Sequence, residues 1–441
     1  MNRIIATIGL AALGTLMLQS SAGQDMKVFE RPKPEKEVGP DKLWSVVGAV
    51  RGFYDDNYTT LPSRSSTGRP TKRSSWGLDL RAGGVVLVER DQNSFGFLAG
   101  YNMKYFEDRR ENSADHELAF LAAGEHRFTE SHKLVFGAAA GVAQEPGVLD
   151  PGLVTSPLRT AGNNFSTSAG LRYEGRNLVG QWGLDAAYLV GLFDYEQTGT
   201  ASRSALLDRV ENYLMLAGRY RFFDETETDG LIGYTLGLTD QTSKDSLLGA
   251  AVISPSARDS RSHYIFAGID HKFSPTLQTS LRLGVQYVEY PNASSADAAL
   301  AAIPAPAFSR SQVSPYVDGS VTWEYLPKSS LQVGARHARA TTDIQTSLDS
   351  ESSVLYSSLE HEFTPDLTGG LNLQVQRSQF RQSVGQRDAA DLTFTSGLRI
   401  EWRFHEYIWL QGGYAYDRLD SDLQDRSYYR NRIFLGFFGA F

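Results

Sequence analysis

The sequence predicts an all-β chain: a single transmembrane antiparallel β-barrel of about 18 strands, with short periplasmic turns and longer extracellular loops. Three observations predict it. Strand-like segments alternate apolar and polar residues with a period of two. A unit of roughly 40 to 50 residues recurs from Trp44 to the C-terminus, which marks an array of hairpins. After the first 23 residues no apolar run is long enough to span a membrane as a helix, so a mature chain that crosses one must do so as a closed barrel.

Composition narrows the chemistry. The 441 residues are 41% hydrophobic and 11% aromatic, with 41 Gly and no Cys. Thiol catalysis and cysteine metal sites are therefore excluded. A formal net charge of −8 argues against nucleic acid as a partner.

Residues 1–23 read as a cleavable export signal. Arg3 supplies the positive end, Ile4 to Leu18 the apolar core, and Ser20-Ser21-Ala22-Gly23 the small residues around a cut. Residues 24–43 are rich in Pro, Lys and Glu and cannot bury a core; they read as an extended periplasmic segment leading into the barrel, residues 44–441.

The turns mark each repeat. They read EHRFTESHKL from Glu125, DHKFSPTLQ from Asp270, EHEFTPDLT from Glu360 and EWRFHEYIW from Glu401. Weaker versions are RYEGRNLV from Arg172, RFFDETETDG from Arg221, WEYLPKSSL from Trp323 and ERDQNS from Glu89. Pro, Asp, Ser and Thr favour tight turns. An aromatic closes nearly every incoming strand: Phe128, Tyr173, Phe222, Phe273, Tyr325, Phe363, Phe404 and Phe441. Rings at one height around a barrel form an interfacial girdle. Alternation puts the His or Trp of each strong turn outward with its Phe, and the acid inward.

Between the turns, Leu392, Phe394, Leu398, Ile400, Trp402 and Phe404 face one way, and Thr393, Thr395, Arg399, Glu401 and Arg403 the other. One strand from Trp44, eight hairpins and a closing strand give the even number that bacterial barrels require. Both termini then lie in the periplasm. The long connections near 55–74, 144–163, 241–259 and 291–311 all fall outside. Loop 291–311 is Ala- and Pro-rich, and a short helix through Ala296 to Ala302 folding inward as a constriction is as compatible with its composition as an exposed loop.

No metal, phosphate-loop or nucleophile motif is present, so no cofactor and no catalytic residue are expected. The acids Asp55, Asp56, Asp240, Asp420, Asp422 and Asp425 read as solvated loop charge or as contacts to divalent-bridged lipopolysaccharide. A hydrolase would need Ser, His and an acid or amide converging near the outer rim or on the lipid face. Only His263, Ser262, His116 and Asp115 fall near outer strand ends, and their spacing orders no triad.

The last strand, Tyr429 to Phe441, places Tyr429, Ile433, Leu435, Phe437 and Phe441 on one face. A terminal Phe after alternating apolar residues resembles the signal by which the assembly machinery of Gram-negative outer membranes recognises its clients. With the export signal and the aromatic-closed turns, the chain resembles outer-membrane β-barrel porins, and more narrowly the β-barrel porin type 2 family, from Trp44 to Phe441. That resemblance implies a porin-like channel in the cell outer membrane for passive diffusion of small hydrophilic solutes, surrounded by lipid and lipopolysaccharide. Some similar barrels belong to exopolysaccharide export, and on that alternative the partners would be periplasmic polysaccharide-export proteins. The short segment before Trp44 leaves no room for the plug domain of a TonB-type receptor. Oligomeric state is not readable.

Strand phase puts Arg51, Arg81, Arg399, Arg403, Arg430 and Arg432 on the lumen face, and barrel closure brings them together as a pore-lining basic wall. Asp79, Glu401 and Asp417 share that wall and can pair with them. Arginines outnumber those acids, so a mild anion preference, or none, is expected.

Overall fold

The computed structural model describes residues 43–441 apart from 111, 145–148, 151–157, 160–162, 178–179, 201, 224–226, 248–253, 294–309, 345–346 and 381–387. Residues 1–42, and with them the expected signal and most of the leader segment, lie outside the described residues, as does the expected helix Ala296 to Ala302.

An 18-stranded antiparallel sheet closes on itself. Its strands are β1 (Trp44–Asp55), β2 (Ser75–Arg90), β3 (Asn93–Phe106), β4 (Ala114–Thr129), β5 (His132–Ala143), β6 (Asn164–Arg176), β7 (Trp182–Tyr195), β8 (Arg209–Phe223) and β9 (Thr228–Gln241). They continue as β10 (Ser260–Ser274), β11 (Leu277–Glu289), β12 (Ser311–Leu326), β13 (Ser329–Ala340), β14 (Ser350–Thr364), β15 (Leu367–Phe380), β16 (Ala389–His405), β17 (Ile408–Ser421) and β18 (Tyr428–Ala440). A two-residue ribbon, Leu149–Asp150 with Leu158–Arg159, lies in one long connection.

Each strand pairs with its chain neighbours, and β1 pairs with β18 from Val47↔Ala440 to Asp55↔Arg432. Closure leaves no edge with unpaired amides, which hydrocarbon does not tolerate. The outward face is apolar. On β18 it carries Ile433, Leu435 and Phe437, each more than half exposed, while Arg430, Arg432 and Phe434 of the other phase are buried inside. In water this distribution would be inverted; beside lipid it is the stable one.

All eight expected tight turns join successive strands at one end of the barrel, and the long connections lie at the other. The structure adds a cause for the closing aromatics. The ladder slips its register at Arg127/Thr129, Arg221/Phe223, Lys272/Ser274, Glu362/Thr364 and Arg403/His405, so that Phe128, Phe222, Phe273, Phe363 and Phe404 are each the extra residue of a bulge. In the repeated turns the ring before them meets them edge to face: His126 with Phe128 at 4.6 Å, His271 with Phe273 at 4.2 Å and His361 with Phe363 at 4.6 Å. These histidines also bond outward-facing groups of the neighbouring hairpin, Asn93, Thr228 and Tyr325. They are girdle packing.

Candidate channel lumen

Arg51, Arg81, Arg399, Arg403, Arg430 and Arg432 do face inward, and each sits against an acid. Arg81 bonds Asp79 at 2.9 Å, Arg432 bonds Asp417 at 2.8 Å and Arg403 bonds Asp366 at 2.8 Å. Arg430 pairs with Asp55 at 2.5 Å. Arg399 lies 3.4 Å from Glu401 and 3.6 Å from Glu360. Arg51 reaches Gln411, which in turn donates to Glu401 at 2.7 Å, and lies 3.9 Å from Asp79.

Two of these contacts cross an intervening strand, each at a glycine. Gly436 stands in register between Arg51 and Gln411, and a Cβ there would strike the Val50 carbonyl and the Arg51 Cα. Gly370 stands in the same way between Glu360 and Arg399, whose guanidinium lies 3.5 Å from where a Cβ would be.

Asp55 was expected in a solvated loop; it is the last residue of β1 and only 1% exposed. With Asp55, Glu360 and Asp366 added to Asp79, Glu401 and Asp417, the arginine surplus expected from strand phase disappears: the six arginines face six acids. Asp240 and Asp420 likewise lie in strands, β9 and β17, and three of the loop acids hold the outer connections together. Asp56 accepts from Lys72 at 2.7 Å and from Asn431, Asp425 from the Ser66 amide, and Asp422 from the Ala390 amide.

A second charge chain runs round the remaining wall. Glu125 meets Lys133, Lys133 meets Glu174, and Glu174 meets Arg172; Arg172 and Arg219 share Asp185, and Arg219 and Arg282 share Asp270. These pairs alternate sign from β4 to β11. A desolvated charge that loses its partner is costly, so the alternation keeps the polar lining affordable as well as balanced.

On one side, outer connections pack against the inner wall. A short helix, α1 (Arg203–Leu207), is capped by Ser202, which accepts from the Ala205 amide at 3.0 Å. Its Ala205, Leu206 and Leu207 are buried in a continuous apolar cluster with Leu121, Val135, Leu189, Phe193, Tyr213 and Tyr264 of the inner wall. Asp208 closes this turn, bonding the Ser204 hydroxyl and the Tyr195 amide; burial still pushes its carboxyl above the ordinary range.

Arg258, ending a 3₁₀ turn at Pro255–Arg258, ties the loops together. It is 2% exposed and donates to Leu206 O at 3.3 Å, Thr342 O at 2.9 Å and also Ile344 O. Burial lowers its pKa to about 10, with Asp343, Tyr290 and Asp349 opposing, so the tie remains cationic at neutral pH. Beside it, Asp343 accepts two bonds from Arg426, which also holds Asp391 at 2.8 Å. Four connections, 196–208, 242–259, 341–349 and 422–427, thus form one bonded assembly. The apolar part of that assembly lies on the β4–β10 side of the barrel, across from the ion-paired seam.

The family model described as Putative beta-barrel porin 2 matches residues 164–440, more than half of the chain. The chain belongs to this family. It is an outer-membrane protein with a porin-like barrel, in agreement with its lipid-facing exterior.

The chain is also similar to solved structures. A BenF-like porin from Pseudomonas fluorescens Pf-5 is 10% identical, with 90% of this chain and 98% of that chain covered and a TM-score of 0.46. Pseudomonas aeruginosa OccK2 (OpdF), solved with glucuronate, is 14% identical, with 90% and 97% covered and a TM-score of 0.46. The Pseudomonas aeruginosa ferric enterobactin receptor PfeA, as its Q482A mutant with enterobactin, is 8% identical, with 92% and 82% covered and a TM-score of 0.45. No curated protein sequence matches the chain.

Three of the four residues weighed for a hydrolase meet other partners. His116 bonds the Tyr101 hydroxyl at 2.7 Å and His263 the Tyr234 hydroxyl at 2.8 Å; Asp115 pairs with Arg109. Ser262 lies one residue from His263 on an alternating strand and so faces the lumen. Sequence reasoning placed Asp55 in a loop, paired neither Glu360 nor Asp366 with an arginine, and did not anticipate the Arg258 tie. Strand pairing in register is the signal that would have joined Glu360 to Arg399 through Gly370.

Proposed function

We propose that the protein is a passive channel for small hydrophilic solutes, whose lumen performs no chemistry. The observation that carries this reading is the polar, charge-balanced seam wall of an 18-stranded barrel, opposite the side where loop residues pack on the inner wall. Barrels of about 16 to 18 strands are wide enough to hold an aqueous channel after side chains fill part of it. Paired guanidinium and carboxylate groups keep that channel wetted without trapping either ion sign.

Purified protein in a planar bilayer tests it. Stepwise openings without any added partner are expected. A barrel silent in this assay, and opened only by periplasmic export proteins, would replace the reading with the polysaccharide-export alternative.

The balanced wall also sets ion selectivity. Six arginines against six acids on the seam give a reversal potential near zero under a potassium chloride gradient. Asp79→Asn should move it toward anion selectivity, because Arg51 and Arg81 then lose the acid they share. A strong cation preference in the wild type would overturn this.

A further inference from the structure

The outward face of β13 to β15 carries polar side chains that a channel does not use. His337 stands opposite Ser353 in register, and its Nδ1 lies 2.8 Å from Ser353 Oγ. Its Nε2 lies 3.1 Å from Glu351 Oε1. The other Glu351 oxygen accepts from Arg339 Nη1 at 3.1 Å. On its far side Ser353 pairs in register with Arg377, and both are exposed.

Depth matters as much as geometry. One step deeper on the same face are Leu355 on β14 and Val375 on β15, and two steps below His337 is Val333, all exposed to lipid. The polar group therefore sits at the outer edge of the apolar band. Acyl-ester linkages of membrane lipids lie at this boundary.

We propose that Ser353, His337 and Glu351 form a serine hydrolase site for acyl-ester lipids of the outer leaflet. At His116 and His263 the nearest hydroxyl belongs to a tyrosine. At His337 it belongs to a serine, and the far ring nitrogen faces a carboxylate that an arginine holds in place. Glu351, accepting Nε2–H, fixes the tautomer that leaves Nδ1 free to take a proton. The exposed Arg377 guanidinium is placed to balance a developing oxyanion or a lipid phosphate.

The chemistry balances. Ser353 Oγ bonds to the ester carbonyl carbon as its proton passes to His337 Nδ1. The tetrahedral oxyanion collapses and breaks the bond to the lipid alcohol, which leaves with that proton. Water then gives a proton to Nδ1 and attacks the acyl-serine. Collapse releases the fatty acid as Oγ regains the proton. The sum is ester plus water to alcohol plus acid.

The test uses the full chain in detergent micelles with a fluorophosphonate probe, read by mass spectrometry. Fatty-acid release is followed in parallel from phosphatidylethanolamine vesicles and from lipopolysaccharide. The wild type is expected to be labelled at Ser353 and to release acid from at least one substrate. Release from phosphatidylethanolamine alone assigns a phospholipid substrate, and release from lipopolysaccharide alone assigns its ester-linked acyl chains. Ser353→Ala should lose label and release, and His337→Gln should lower release ~100-fold. Heat-modifiable mobility and bilayer conductance should persist in both variants, which separates this site from the channel reading. A wild type that takes no label and releases no acid overturns the proposal, as does undiminished release by Ser353→Ala.

Discussion

Replacing Phe437 and Phe441 together with serine is expected to remove the heat-modifiable barrel from the outer membrane. Both rings lie on the lipid face of the closing strand, each more than half exposed. Phe437 meets Phe404 at 6.1 Å and Phe441 stacks on Tyr407 at 5.7 Å, so the pair fastens the last strand to the periplasmic girdle. The Phe441 backbone exchanges two hydrogen bonds with Val46, both 2.9 Å, and so completes the seam with β1. Setting hydroxyls in their place strips two rings from the girdle, and each hydroxyl left unbonded in hydrocarbon costs roughly 2–7 kcal/mol. The assembly machinery also loses the apolar face that the terminal strand presents. Outer-membrane fractions run unheated and heated on denaturing gels read the outcome: less than a tenth of wild-type folded band is expected, and wild-type levels would sink the prediction.

Much of this architecture was legible because a barrel wall is written locally. Alternation, a turn and a closing aromatic each span only a few residues, and eight repetitions fixed the strand number and the two ends. The six arginines were placed on the inner face by the same rule of two. Their charge balance was not legible, because it depends on register between strands far apart in sequence. Asp55 reaches Arg430 across the seam, and Glu360 reaches Arg399 across β15 at Gly370. Ser353, His337 and Glu351 were missed for a related reason. Nothing local marks a serine and a histidine as facing one another across a loop; only the pairing His337↔Ser353 does.

The loops were the least legible part. Connection 291–311 drew attention for its composition, yet the Arg258 ties at the described mouth run through 196–208, 242–259 and 341–349. Their apolar content is modest: α1 offers only Ala205, Leu206 and Leu207 to the cluster. A five-residue helix is too short to be stable alone, so its position comes from tertiary contacts rather than propensity.

Arg258→Ala is accordingly expected to loosen the mouth and raise single-channel conductance, with noisier open states. The guanidinium joins Leu206 O to Thr342 O and Ile344 O, so truncation removes three bonds between loops that Ser204–Ser243, Ser202–Asp245 and Arg203–Asp343 otherwise hold only near their ends. Each buried carbonyl left without a donor costs about 1–3 kcal/mol unless water reaches it, and admitting water there is what opening the loops accomplishes. Burial lowers the pKa of this cation to about 10, and Asp343, Tyr290 and Asp349 oppose that loss. The strand ladder stays intact, so heat-modifiable mobility should not change. Arg258→Lys keeps a charge but loses the fork that spans three acceptors, and should fall between the two. Bilayer recordings of the three proteins at one salt concentration decide it. Equal conductance and equal noise in folded Arg258→Ala would show that these loops do not bound the conducting path.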